Sequence, residues 1–101
     1  MTPIEEIIME LIGTSGEGKS NSMIAMRKAR EGEIEIAKEY MKKASESLLH
    51  AHKIQTNLIQ KEAAGEKTEI SLLMIHAQDH LMNSMVIKDM ANEIIALHEK
   101  I

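Results

Sequence analysis

Between Glu69 and Glu99 runs a helical pattern that is apolar on too many sides. Its first half carries Ile70, Leu72, Leu73, Met74, Ile75, Ala77, Leu81, Met82, Met85, Val86 and Ile87. A helix at the edge of a bundle needs a single apolar stripe, turned to its own core. A chain of 101 residues with two other helices cannot cover a third from every direction. The excess predicts self-association through this segment. A helix from a different protein could also cover it, but symmetric copies of one chain are the commoner solution.

The rest of the chain reads as two more long helices. Thr2-Pro3-Ile4-Glu5 has the form of a helix start: Thr2 can cap, Pro3 suits the first helical position, and Glu5 can complete a capping box. Ile4, Ile7, Ile8, Leu11 and Ile12 then recur at helical spacing. The run Gly13–Ser20 (GTSGEGKS) interrupts the pattern, Met23, Ile24 and Met26 restart it, and Gly32 ends it. This predicts a first helix with a break. From Glu33 to about Ala63 a second pattern is uninterrupted. Its stripe is Ile34, Ala37, Met41, Ala44, Leu48, Ala51, Gln55 and Leu58, in alternating steps of three and four, which is the seam of a bundle. Gln55 is the odd member: it either finds a partner on a neighbouring helix or lies solvated at the seam's edge. His50 and His52 lie close to the stripe, and His50 reads as a satisfied structural group. Gly65 suits a helix C-terminus, and Thr68 is placed to cap the third helix. The expected fold is all-α, an up-down-up three-helix bundle forming one domain over residues 1–101 and associating through the third helix.

Composition narrows the function. The chain has no cysteine, so neither disulfides nor thiolate chemistry are available. A net charge of −4 argues against nucleic acid as a partner, which calls for a basic patch. The first residues include Glu5 and Glu6 rather than the basic start of a signal peptide, and no uncharged run approaches the ~18–20 residues that span a bilayer. The expected location is the cytoplasm.

Inside the third helix, Met74-Ile75-His76-Ala77-Gln78-Asp79-His80-Leu81-Met82 places four polar residues among apolar ones. His76, Asp79 and His80 share one side at i, i+3 and i+4 spacing. One seam of the helix reads Leu72, His76, Asp79, Asn83, Val86, Met90, Glu93 and Leu97. If that seam faced a symmetry axis, copies of Asp79 would converge, and would either share protons or hold a cation. A site of hard carboxylate oxygens suits Mg²⁺ or Ca²⁺. Spacing alone favours the plainer alternative, an Asp exposed at a groove with no metal contact. His76 has three possible roles: a satisfied core histidine, a metal ligand paired with His80, or a nucleophile toward phosphorus. A nucleophile needs one ring nitrogen free and the other held by a hydrogen bond. It also needs donors for phosphoryl oxygens, for which Gln78, His80 and Gln55 are candidates. Spacing does not choose among the three.

Gly13-(x)4-Gly18-Lys19-Ser20 also fits the P-loop pattern. That motif works between a strand and a helix of a parallel sheet, and this chain offers no strand-like segment to supply one. A kink or a restarted helix is the plainer reading.

Two stretches carry a family resemblance. Ala51-His52-Lys53-Ile54-Gln55-Thr56-Asn57-Leu58-Ile59, followed by Glu62-Ala63-Ala64-Gly65, and the run His76–Met82 (HAQDHLM) resemble the lactose/cellobiose-type Enzyme IIA of the bacterial sugar phosphotransferase system. The likeness covers nearly the whole chain. It implies a homotrimer of three-helix subunits. It implies that His76 carries a phosphoryl group, taken from phospho-HPr and passed to Enzyme IIB while the membrane-embedded IIC component transports the sugar. Contact with the membrane would be only indirect, through IIC. It assigns Asp79 to a divalent metal, Mg²⁺, at the trimer axis, and sets Gln78 and His80 beside the phosphoryl group. Where the family often has Ala-Arg-Ser, this chain has Gly18-Lys19-Ser20, which leaves the role of any Arg there open. The rival expectation is a non-catalytic oligomeric module that binds metal through His76, Asp79 and His80.

Overall fold

The Thr2 hydroxyl accepts from the Glu5 backbone N–H at 3.2 Å, and the Glu5 carboxylate accepts from the Thr2 N–H at 3.3 Å. This capping box, with Pro3 behind it, opens α1 (Pro3–Arg30). In the computed structural model, which describes all of residues 1–101, α2 (Ile34–Ala63) and α3 (Leu72–Lys100) follow, with no strand. The bundle extends 51 × 25 × 18 Å, as three helices of about 45 Å lying side by side require.

Both helix ends before the turns close in the same way. Gly32 and Gly65 take φ of +83° and +95°, a conformation that costs a glycine little. At the first turn Glu33 N–H donates to Lys28 C=O (2.9 Å) and Gly32 N–H to Ala29 C=O (3.0 Å); at the second, Glu66 and Gly65 repeat the pair onto Lys61 and Glu62. These are Schellman closures. Glu33 and, less strongly, Glu31 hold the Lys28 ammonium above the usual lysine pKa at the first turn.

Two expectations about boundaries are corrected. There is no break at Gly13–Ser20: α1 runs through it. Glycine in a helix costs about 1 kcal/mol relative to alanine, but at Gly18 the missing side chain is what packing requires. A Cβ there would collide with the Leu48 side chain. The hydroxyls of Thr14 and Ser22 donate to Glu10 C=O (2.9 Å) and Gly18 C=O (2.8 Å), so they join the helix instead of competing with it. Continuous helix also removes the P-loop reading, since the amides that would surround a phosphate are used along the helix. The second correction is the start of α3. Ser71, not Thr68, caps it, its hydroxyl accepting from Met74 N–H at 3.1 Å.

The core has two parts. Ile8, Leu11, Leu48, Ala51, Leu58, Met74, Ala77 and Leu81 fill one end. Ala25, Ala29, Ala37, Met41, Ala91 and Ile95 fill the other with smaller side chains. Between them the buried positions are Ser15, Gly18, Ser22, Ala44 and Ser84, a waist of small residues. Every member of the α2 seam is buried or half-buried, as its spacing predicts. α1 packs along both other helices, whereas α2 and α3 meet less extensively. No helix is long and apolar enough to cross a membrane.

Candidate functional site

α3 has two apolar sides and the subunit buries one. Met74, Ala77, Leu81, Ser84, Ala91 and Ile95 face the core. Every member of the opposite seam, from Leu72 through His76 and Asp79 to Leu97, is exposed. Leu72, Ile75, Val86, Met90 and Leu97 each expose more than half of their surface. Large apolar groups in a continuous exposed stripe mark an interaction surface.

His76 lies in this stripe, one turn before His80. Their ring centroids are 5.7 Å apart and the rings are inclined by 59°. His76 is exposed and its ring makes no hydrogen bond within the chain, so the bond expected to fix its tautomer is not made inside one subunit. The reading of His76 as a satisfied core histidine is thereby removed.

Gln78 is turned elsewhere. It lies two residues beyond His76, roughly 200° around the helix. Its Oε1 accepts from Gln55 Nε2 at 2.6 Å, and its own Nε2 approaches the Met74 sulfur at 3.7 Å. The half-buried Gln55 of the α2 seam thus finds its partner on the neighbouring helix, and the pair ties α2 to α3. His50 also has a partner, Glu10 at 2.7 Å.

Asp79 makes no hydrogen bond or ion pair in the subunit. It shares an apolar surface hollow with Ile70, Met74, Ile75, Gln78 and Met82. A carboxylate in that setting has both oxygens free for a partner from outside. Within one chain, His76, Asp79 and His80 do not form a cluster that could hold a metal ion, and no other group of three does.

His80 faces away from this hollow. It is half-buried against α1, where a Cβ on Gly16 would stand 3.9 Å from its Nε2. With Gly16, Lys19, Ser20, Met23, Ile24 and Arg27 it lines an open groove of about 530 Å³. Spacing along α3 could not reveal this groove, because α1 supplies six of its seven residues. The glycine-rich match did mark the segment, although for a nucleotide loop it does not form.

Residues 6–99 match the family described as lactose/cellobiose-specific IIA subunits of the phosphotransferase system. The lichenan-specific phosphotransferase enzyme IIA component of Bacillus subtilis is 54% identical over 98 residues, covering 97% of this chain and 89% of its own. The crystal structure of the cellobiose-specific enzyme IIA of Bacillus anthracis superposes with a TM-score of 0.95 at 51% identity, over 99% of this chain and 92% of that one. The Escherichia coli IIA(chitobiose), solved in solution as its complex with HPr, gives a TM-score of 0.84 at 39% identity, over 99% of this chain and 97% of that one.

Proposed function

We infer the function from one premise: this chain belongs to the lactose/cellobiose-specific IIA family of the sugar phosphotransferase system, and so to a class of phosphotransferase components. On our reading His76 is the residue that carries the phosphoryl group. It takes the group from phospho-HPr and passes it to Enzyme IIB during sugar uptake. The observation that carries this reading is an exposed imidazole with unpartnered nitrogens, set in an apolar stripe that a partner must cover.

The chemistry is an in-line exchange between two imidazoles. The lone pair of a neutral His76 nitrogen forms the new P–N bond. The donor's P–N bond breaks and its electron pair returns to the donor ring, each ring keeping the N–H of its other nitrogen. The protein positions the group and stabilises charge on its oxygens. His80, one turn away, can donate to them. Gln78 can do so only by leaving Gln55. HPr as donor is supported by the solved complex of a relative with HPr.

The outer stripe of α3 supports a homotrimer built through that helix, with His76 in the groove between subunits and open to each visiting protein. Three copies of Asp79 would then gather at the axis. An unpartnered carboxylate in an apolar hollow fits such a place, and its hard oxygens suit Mg²⁺, which would neutralise the gathered charge. We place this chain in the cytoplasm, where both phosphoryl partners work. The non-catalytic metal-module reading is not favoured, because the chain belongs to a family of phosphotransferase components.

The test is transfer in two steps. The wild-type protein should accept phosphate from phospho-HPr and yield it to Enzyme IIB. His76→Ala should do neither, with helix content and assembly unchanged. Acceptance by His76→Ala would refute the assignment.

A further inference from the structure

We propose that Lys19 is the cation that meets the phosphoryl group on His76, with Ser20 and Arg27 completing an anion site on α1. The proposal rests on the reading of His76 as carrier and extends it to a second helix.

The groove beside His80 is lined by three groups able to carry positive charge, Lys19, Arg27 and His80, and by no carboxylate. This is notable in a chain of net charge −4. The ion pairs of the protein engage Lys28, Lys38, His50 and Lys88; neither Lys19 nor Arg27 belongs to one. Their charges are therefore available to a ligand. Gly16, Lys19, Ser20, Met23 and Arg27 recur at helical spacing, so one face of α1 presents them together.

Gly16 and His80 share one wall of this groove, a Cβ on Gly16 standing at an ordinary contact distance of 3.9 Å from His80 Nε2. His80 thus belongs both to the groove and, at 5.7 Å between rings, to the surroundings of His76. A phosphoryl group on His76 adds a compact double charge within one helical turn of the groove. Lys19, on a flexible stem, can follow that charge as it arrives and leaves. The Ser20 hydroxyl supplies a neutral donor, and Arg27 a more distant positive field.

This gives the segment Gly16-Glu17-Gly18-Lys19-Ser20 a use other than a nucleotide loop. Gly18 admits Leu48, and Lys19 and Ser20 line the groove in which the anion would lie. The anion is a phosphoryl group on a side chain of α3, bound by side chains and not by loop amides.

The experiment measures phosphoryl transfer from phospho-HPr to wild type, Lys19→Gln and Lys19→Arg, over a range of phospho-HPr concentrations. Lys19→Gln should lower the transfer rate at saturation ~10- to 100-fold, the usual size of one lost charged hydrogen bond, and Lys19→Arg should restore most of it. As a readout without chemistry, inorganic phosphate titrated into the unphosphorylated protein should shift the His80 ring resonances in wild type and Lys19→Arg but not in Lys19→Gln. A saturated rate unchanged in Lys19→Gln would overturn the proposal. So would a loss confined to the half-saturating concentration of phospho-HPr, because Lys19 would then be a docking residue. His76→Ala run alongside separates the two readings: if it still accepts phosphate, the carrier assignment itself fails. If it is inert while Lys19→Gln is normal, only the α1 site fails.

Discussion

The two sides of α3 are both apolar and have opposite fates. The inner side puts Met74, Ala77, Leu81, Ala91 and Ile95 into the core. The outer side leaves Leu72, Ile75, Val86, Met90 and Leu97 more than half exposed in the subunit. Hydrophobicity alone therefore does not say what a residue is for. The inner side stabilises the subunit, while the outer side adds nothing to the subunit's own core and is the surface through which we propose that it assembles. His76 and Asp79 belong to the outer side, and the roles proposed for them depend on what covers it.

Placing a charge in the outer side should break the comparison most sharply. Val86→Asp should oppose trimer formation by ~3–5 kcal/mol per subunit, as an uncompensated buried charge does. Sedimentation should show monomers, and circular dichroism an unchanged helix content. A trimer that survives would mean Val86 is not covered.

Leu81, fully buried, is the matching change on the inner side. Leu81→Ala should cost about 2–5 kcal/mol of subunit stability. It should lower the midpoint of denaturant unfolding and leave subunit affinity nearly unaltered. A shift in trimer dissociation larger than the shift in unfolding would contradict the division of roles.

Asp79 sharpens the comparison with the opposite sign. If Asp79 lies at the axis of the proposed trimer, Asp79→Leu should leave that trimer intact or tighter by ~1–4 kcal/mol, because apolar packing would replace gathered carboxylates. It should also make assembly indifferent to a chelator. Dissociation into monomers on this change would count against an axial Asp79.

Much of the fold was legible because its signals are local. Thr2, Pro3 and Glu5 lie within one turn, and Gly32 and Gly65 mark conformations that few other residues adopt. The α2 stripe was legible because a single helix repeats it. The continuity of α1 was not. The glycines between Gly13 and Ser20 carry a local penalty, while the compensation at Gly18 comes from Leu48, 30 residues away. The N-cap of α3 was missed because Thr68 and Ser71 are chemically alike, and only the path of the chain chooses between them. For the candidate site, HAQDHLM pointed to the turn of α3 whose His76 and Asp79 the subunit leaves exposed. Sequence offered a partner on another helix for Gln55 but did not identify it as Gln78. It gave no sign that His80 turns to α1, because pairing between helices leaves no trace in the spacing of either one.

The most direct measurement is to incubate the protein with phosphoenolpyruvate, Enzyme I and HPr, then map the acid-labile phosphate by mass spectrometry. The tryptic segment 68–88 holds His76 and His80 and no other histidine, so fragmentation within it decides between them. Phosphate on His76 alone is the predicted result. Phosphate on His80, or on a segment outside α3, would contradict the account.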